Sequence, residues 1–98
     1  MHVISKKVLR EFWKENPDSE QPLKAWHAEA SRAKWETPAD IKEKYGSATI
    51  LKKGRVVFNI GGNKYRLIVR INYESQTVFI RFIGTHKQYD AIDDAEEI

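Results

Sequence analysis

Residues 56–90 read VVFNIGGNKYRLIVRINYESQTVFIRFIGTHKQYD, and this stretch decides the fold. Three apolar-rich runs are separated by two short polar turns, and a polar cluster, THKQYD, follows the last run. Alternation of apolar and polar residues over such a length predicts β-strands whose two faces differ. The stretch is therefore expected to form an antiparallel sheet, with one face available as a core.

The two turns set the predicted register of the strands. Gly62 and Asn63 form the centre of the first turn, because both tolerate the positive φ that a two-residue hairpin needs. Ser75 and Gln76 form the centre of the second turn. The predicted pairs are Ile60–Tyr65, Asn59–Arg66 and Phe58–Leu67 across the first turn, and Ile71–Ile80, Arg70–Arg81, Ile68–Ile83 and Arg66–Thr85 across the second.

These registers agree with the pleat and assign the side chains to two faces. The core face gathers Val56, Phe58, Ile60, Tyr65, Leu67, Val69, Ile71, Tyr73, Val78, Ile80, Phe82 and Gly84. The second face carries three arginines and gathers Val57, Asn59, Arg66, Ile68, Arg70, Phe79, Arg81, Ile83 and Thr85. The core face is the expected packing surface for helices that precede the sheet.

Arg70 opposite Arg81 is unfavourable by itself, because like charges paired across strands repel. Either both side chains point into solvent or under the acidic C-terminal segment, or a phosphate lies between them, for which the guanidinium fork is suited. Phe79 beside them is placed either to stack on a nucleobase or to belong to a second small core.

The residues before the sheet predict two amphipathic helices. Ser5 is expected to cap the first, which ends near Asn16 because a residue before proline is disfavoured in the α region. Its apolar stripe is Ile4, Val8, Leu9, Phe12 and Trp13. Asp18 or Ser19 is expected to cap the second helix, whose stripe is Leu23, Trp26, Ala30 and Ala33.

A third, short helix is predicted between these two and the sheet. Thr37 and Asp40 form a capping box around Pro38 at its start, and Gly46 is expected to end it in the left-handed conformation. Residues 1–4 and 49–51 predict short strands, the first of them at an edge of the sheet.

The net charge of +3 hides a segregation of charge along the chain. Residues 90–98 hold five acids and no base, so residues 1–89 carry 17 bases against nine acids. Between Lys52 and Lys87 there are eight bases and one acid, Glu74. This basic region is either a solvated face or a surface for a polyanionic partner, which would be nucleic acid or an acidic protein segment.

Residues 1–98 are expected to form one soluble domain with one modest core. The chain has no cysteine, which excludes disulfides and thiolate metal sites. It has no apolar run of membrane length and no signal-peptide core after Met1. These features predict a cytoplasmic protein that has no membrane partner.

The polar end of the sheet is predicted to gather groups that transfer protons and stabilise negative charge. They are His86, Lys87, Tyr89 and Asp90 after the last strand, with Asn63, Lys64 and Arg66 near the first turn. Without a metal constellation or an evident protein nucleophile, such a set could cleave RNA by activating its 2′-hydroxyl. The other interpretation is a capped strand end with a surface histidine.

Three segments, VFNIGGNKYRL (57–67), FIR (79–81) and THKQYD (85–90), resemble the HigB-type toxins of bacterial type II toxin–antitoxin systems. The start, MHVI followed by a helix, is similar too. The resemblance covers essentially the whole chain and is densest in residues 56–90. It implies a RelE/ParE-like α+β fold, in which N-terminal helices pack on one face of a twisted antiparallel β-sheet.

The resemblance also implies an activity and partners. The activity is metal-independent, ribosome-dependent cleavage of mRNA without a cofactor. The partners are mRNA, the ribosome and a helix-turn-helix antitoxin of the HigA type, through which alone the toxin meets operator DNA. Because some relatives with this fold inhibit gyrase and cut nothing, a non-catalytic inhibitor and a plain RNA-binding module are the alternative hypotheses.

Toxins of this superfamily use basic residues, histidine and tyrosine scattered around the sheet, and this chain matches them in residue type. The predicted catalytic group is His86, Tyr89, Arg66 and Arg81. Asp90 is predicted to orient His86 or Tyr89. The predicted RNA-binding residues are Asn63, Lys64, Arg70 and Lys87.

Overall fold

The computed structural model describes all 98 residues as five strands and four α-helices. In chain order these are β1 (His2–Ile4), α1 (Lys6–Glu15), α2 (Glu20–Arg32), α3 (Pro38–Lys44), β2 (Thr49–Ile50), β3 (Arg55–Ile60), β4 (Tyr65–Asn72), β5 (Thr77–Thr85) and α4 (His86–Asp90). Two 3₁₀ turns, Pro17–Ser19 and Ala95–Glu97, complete the chain. None of the helices has the length and apolar character needed to cross a membrane.

The five strands form one sheet in the order β1-β5-β4-β3-β2. β2 to β5 pair antiparallel, whereas the edge strand β1 runs parallel to β5. The predicted α+β class is therefore confirmed, and the prediction of a wholly antiparallel sheet is wrong for one strand. A parallel neighbour needs a long crossover connection, and the three N-terminal helices supply it between β1 and the rest of the sheet.

The helices pack on the predicted core face of the sheet. The stripes of α1 and α2 are largely confirmed, since their buried members are Leu9, Trp13, Leu23, Trp26 and Ala30. Val8, predicted to belong to the first stripe, is 40% exposed. Phe58 of β3 is buried beneath the rings of Trp26, Trp35 and Tyr45. Burying such a ring contributes about 1.5–3 kcal/mol, so this face serves stability and the second face is left for function.

The short helix α3 begins as predicted but ends differently. Thr37 Oγ1 accepts from the backbone N–H of Asp40, and the Asp40 carboxylate accepts from the backbone N–H of Thr37, which confirms the capping box. Gly46 does not adopt a positive φ. Instead Lys42 Nζ donates to the carbonyl of Gly46 at 2.7 Å, so a lysine rather than a left-handed glycine satisfies the helix end.

The predicted caps of the first two helices are wrong. Ser5 precedes α1 with a φ of 81°, and its side chain makes no capping hydrogen bond. Ser19 Oγ donates to the carbonyl of Asn16 at 2.7 Å, which ties it to the preceding turn. The Asp18 carboxylate points away from α2 to the sheet, where it binds Lys64 and Tyr65. Asp18 is therefore used in a tertiary contact and Ser19 in the preceding turn, so neither side chain caps α2.

The first hairpin has the predicted register. Ile60 pairs with Tyr65, Asn59 with Arg66 and Phe58 with Leu67. The positive φ angles fall on Gly61 and Gly62 rather than on Asn63. The glycine pair makes the turn, and the alternation of the strands fixes which side chains face the helices.

The second hairpin does not have the predicted register, because its loop is longer. Residues 73–76 form the loop, and Asn72 pairs with Thr77. Asn72 Oδ1 accepts from the backbone N–H of Ser75 at 3.0 Å, which bends the chain one residue earlier than predicted. Gln76 takes the left-handed conformation, and its amide donates to the carbonyls of Trp35 and Tyr73.

A β-bulge in β5 changes the pairing a second time. Val69 pairs with Ile80 and Ile68 with Phe82, so Arg81 is the extra residue between them. The four predicted pairs across this turn are replaced by Ile71–Val78, Arg70–Phe79, Ile68–Phe82 and Arg66–Gly84. Beyond the bulge, the side chains of β5 lie on the face opposite to the one predicted. Phe82 and Gly84 leave the core face, and Ile83, opposite Leu67, packs against the core.

Candidate functional site

The helix α4 is joined directly to the last strand at the polar end of the sheet. A capping box, in which Thr85 Oγ1 accepts from Gln88 N–H and Gln88 Oε1 accepts from Thr85 N–H, starts the helix at the strand end. The backbone N–H of His86 donates to the carbonyl of Lys64 at 3.0 Å. This bond holds the start of α4 against the first hairpin, so the two predicted halves of the site meet.

The side chains of α4 present acid–base groups to solvent. His86 Nε2 lies 3.4 Å from Asp90 Oδ1, one helical turn away, and the two side chains are 54% and 60% exposed. Tyr89 is half-buried on the same short helix, and Lys87 is exposed. Asp90 thus occupies the position predicted for an orienting residue, and the Nδ1 atom of His86 makes no hydrogen bond within the protein.

Arg66 lies beside α4 on the second face. Its backbone pairs with Gly84 on one side and with Asn59 on the other. Its Nη1 donates to the carbonyls of Asn63 at 3.1 Å and Tyr65 at 3.2 Å. Because these bonds engage only Nη1, the other guanidinium N–H groups are free to donate to a bound anion.

Lys64, predicted to bind RNA, is held by a residue from the N-terminal part of the chain. Its Nζ lies 2.6 Å from Asp18 Oδ2, and the Tyr65 hydroxyl donates to the other oxygen of Asp18. The hydrogen bond from Lys64 and then that from Tyr65 hold the pKa of the Asp18 carboxyl below its ordinary value. The structure brings Lys64 to the site, with its charge already paired.

Arg70 and Arg81 form a second cluster farther along the sheet. The guanidinium carbon of each lies 5.6 Å from the centre of the Phe79 ring, within the range of a cation–π contact. Arg70 pairs with Phe79 rather than with Arg81, which corrects the predicted opposition. Arg70 is four residues from Arg66 along β4, or about 13 Å. The predicted site is therefore divided into two cationic clusters. The first is Arg66 and Lys64 beside α4, and the second is Arg70 and Arg81 around Phe79.

The direct opposition of like charges occurs instead between Arg55 and Arg70, which pair across β3 and β4. Arg55 was not among the predicted site residues, although the first-hairpin register, continued by five residues, places it opposite Arg70. Such a pair costs about 0.2–1 kcal/mol. None of the side-chain ion pairs in the protein involves an arginine.

The cationic residues of the second face lie outside the cavities of the molecule. These cavities, of about 420 and 560 Å³, lie around residues 29–44 and around the loop 73–76. Neither is lined by any predicted site residue. Val57 and Ile68 at the middle of the second face are buried, whereas the arginines around them are partly or fully exposed. A basic and partly aromatic surface without an enclosed pocket suits a chain-like anion better than a small molecule that must be enclosed.

Gly84 is required for the packing between the strand and α4, and a substitution tests this. A Cβ at Gly84 would lie 2.5 Å from Phe82 Cζ and 2.7 Å from Gln88 Oε1, so both side chains would have to move. We expect Gly84→Ala to lower the free energy of unfolding by about 1–3 kcal/mol, measured by urea denaturation.

The matched control is Gly46→Ala, because a Cβ at Gly46 meets nothing within 4 Å. Its effect is expected to stay within about 0.5 kcal/mol. Equal stabilities of the two variants would show that Phe82 and Gln88 do not fix the junction between β5 and α4.

The fold and the two clusters define a small α+β protein with cationic residues on the second face of its sheet. Residues 19–92 match the HigB_toxin family, described as the RelE-like toxic component of a toxin–antitoxin system. The chain is 32% identical over 92 residues to the mRNA interferase toxin HigB of Escherichia coli K12, covering 92% of this chain and 88% of that protein. It is 26% identical over 94 residues to the mRNA interferase HigB of Escherichia coli O6:H1, covering 94% and 91%.

The chain therefore belongs to the HigB toxin family, which confirms the resemblance drawn from residues 57–67, 79–81 and 85–90. As the toxic component of a toxin–antitoxin system, it has a cognate antitoxin as its partner.

Proposed function

We propose that this protein is an mRNA interferase, an endoribonuclease that cuts translated mRNA without a metal or another cofactor. The observation that carries the proposal is the junction of α4 with the first hairpin, where His86, Tyr89 and Arg66 share one end of the sheet. The relatives from Escherichia coli, which bear the name mRNA interferase, support the same activity.

In the proposed reaction the RNA supplies its own nucleophile. A base removes the proton of a 2′-hydroxyl, whose oxygen attacks the adjacent phosphorus, and an acid protonates the departing 5′-oxygen. The bond from phosphorus to the 5′-oxygen breaks as the bond to the 2′-oxygen forms. The products are a 2′,3′-cyclic phosphate and a 5′-hydroxyl.

His86 and Tyr89 are the two proton-transfer groups of this proposal. With Nε2 of His86 turned to Asp90, Nδ1 is the nitrogen that would take or give the proton. Tyr89 serves as the second proton-transfer group or stacks on a base. Arg66 stabilises the charge that develops at phosphorus, because its strand pairs with the end of β5 that leads into α4 and its other guanidinium N–H groups have no acceptor within the protein.

The remaining cations hold the RNA on either side of the cut. Arg81 was predicted to act with Arg66, but it lies beside Arg70 and Phe79, so we assign it to a neighbouring phosphate. Asn63 and Lys87 contact RNA close to α4, and Lys64 does so if it exchanges Asp18 for phosphate.

Residues 1–98 act as one toxin domain in the cytoplasm, on mRNA that is held by the translating ribosome. The cognate antitoxin is of the helix-turn-helix, HigA type and carries the contact with operator DNA. The family's toxin–antitoxin role and the names of the relatives support these proposals.

Primer extension after induction of the protein in bacteria tests the proposed function. The reporter mRNA is made in two forms, one with and one without a ribosome-binding site. We expect cuts only in the translated form. Growth arrest with uncut RNA and altered DNA supercoiling would favour a gyrase inhibitor, and RNA binding without cuts would favour a plain RNA-binding module.

A further inference from the structure

The sheet face carries cations beyond the two clusters described above. Arg55 stands opposite Arg70, and Lys53 precedes Arg55 in the turn that leads into β3. Arg55 Nη1 donates to the backbone carbonyl of Lys53 at 2.9 Å, which holds the guanidinium group against this turn. The buried Nε of Arg55 has no hydrogen-bond acceptor. Lys53, Arg55 and Arg70 are thus neighbours along the chain or across the strands, and no carboxylate of the sheet pairs with them.

The acidic C-terminal segment, residues 93–98, covers this group. Glu97 forms an ion pair with Lys53, and Arg55 Nη2 donates to the carbonyl oxygen of Ile98 at 2.8 Å. The hydrogen bond from Lys53 is the main reason that the pKa of Glu97 lies below its ordinary value. Both groups of this ion pair are more than half exposed, so the contact is accessible to solvent and to competing ions.

The chemistry of this contact matches that of a nucleic-acid backbone. The segment offers a carboxylate to an ammonium group and a main-chain oxygen to a guanidinium, and phosphate oxygens can accept charge-assisted hydrogen bonds from the same donors. Arg70 links this group to the Phe79 cluster, because it contacts Phe79 and pairs with Arg55. Arg70 therefore lies between the Phe79 cluster and Arg55, on the same face that carries Arg66.

We propose that Lys53, Arg55 and Arg70 form a further phosphate-binding subsite for single-stranded RNA, and that residues 93–98 occupy it until RNA displaces them. The inference rests on the proposed function for its ligand, and it adds a binding subsite and an internal competitor to it. RNA that reaches the subsite exchanges Glu97 for a phosphate at Lys53.

Binding of an uncleavable RNA tests the inference separately from cleavage. The probe is a 2′-O-methylated, fluorescein-labelled single strand of twelve nucleotides, titrated by fluorescence anisotropy with the full chain. Glu97→Gln keeps the shape of the segment and removes the charge that pairs with Lys53. Asp93→Asn is the matched control, because it changes the net charge equally and Asp93 has no ion-pair partner.

We expect Glu97→Gln to tighten binding of the probe by about two- to five-fold, the range that loss of an exposed ion pair gives. Asp93→Asn is expected to tighten it by less than about 1.5-fold. Arg55→Gln is expected to weaken binding and to lower the slope of log Kd against log salt by about one. Equal effects of Glu97→Gln and Asp93→Asn, or an unchanged salt slope in Arg55→Gln, would overturn the inference.

The outcomes separate this inference from the proposed function. If the probe responds as expected but translated mRNA is not cut, the subsite stands and the proposed cleavage fails. If translated mRNA is cut and the probe does not distinguish Glu97→Gln from Asp93→Asn, the cleavage stands and the subsite fails.

Discussion

Replacing His86 by alanine is expected to lower the rate of mRNA cleavage by about 10²- to 10⁴-fold, the usual contribution of a general acid or base. The imidazole is half exposed, and its one ionic contact is Asp90 on the same helix. Its removal should therefore leave the fold and antitoxin binding intact, with a change in the free energy of unfolding within about 0.5 kcal/mol.

The measurement is single-turnover cleavage of mRNA on programmed ribosomes, with urea denaturation and antitoxin binding followed in parallel. His2→Ala is the matched control, because His2 is exposed on the edge strand β1, away from the site. Normal cleavage by His2→Ala and a large loss in His86→Ala are expected. A His86→Ala protein that cuts at the normal rate would remove His86 from the mechanism.

Replacing Arg66 by alanine is expected to lower the rate of cleavage by about 10²- to 10³-fold, as the loss of one preorganised donor does elsewhere. Two carbonyls, those of Asn63 and Tyr65, hold the guanidinium group through Nη1 and leave its other N–H groups without an acceptor in the protein. Arg66→Lys should recover only part of the rate, because an ammonium group cannot bond the hairpin and grip a phosphate with the same fork.

The same ribosome assay measures this effect, and it separates a loss of cleavage rate from a loss of RNA binding. Arg66→Ala should lower the single-turnover rate at saturating protein, whereas Arg70→Ala should mainly raise the concentration of protein needed for half-maximal rate. Arg10→Ala, on the exposed side of α1, is the control for loss of positive charge. A full rate for Arg66→Ala at saturation would show that Arg66 only binds RNA.

Local pattern was sufficient to predict the part of the fold that depends on alternation. The register of β3 with β4 follows from the glycine turn and from the side chains that must face the helices, and it is confirmed. The stripes of α1 and α2 and the capping box at Thr37 are likewise local features. These features use interactions within a few residues of the chain, which is why a sequence pattern can reveal them.

The register of β4 with β5 could not be predicted in the same way. The loop is set partly by Gln76, whose amide reaches Trp35 across the molecule, and the bulge at Arg81 leaves no sign in the alternation before it. As a result the arginine pair was misplaced: Arg70 faces Arg55 and Phe79 instead of Arg81. Predicting this needed the tertiary structure.

The residue types of the candidate site were predicted from the sequence, but their grouping was not. The backbone bond from His86 to the carbonyl of Lys64 places the start of α4 against the first hairpin, next to the strand that carries Arg66. The ion pair of Lys64 with Asp18 joins residues far apart in the chain, and nothing near Asp18 in the sequence indicates it. Arg55 could have been found, since the correct first register already places it opposite Arg70.

The proposed cleavage requires that the RNA 2′-hydroxyl be the nucleophile, and one substitution in the substrate tests this directly. Ribosomes are programmed with an mRNA that has a single 2′-deoxynucleotide on the 5′ side of a mapped cut. We expect the unmodified message to yield a 2′,3′-cyclic phosphate and a 5′-hydroxyl, and the deoxy message to stay intact at that position. Cutting of the deoxy message at the normal rate, or a fragment with a 5′-phosphate, would contradict it.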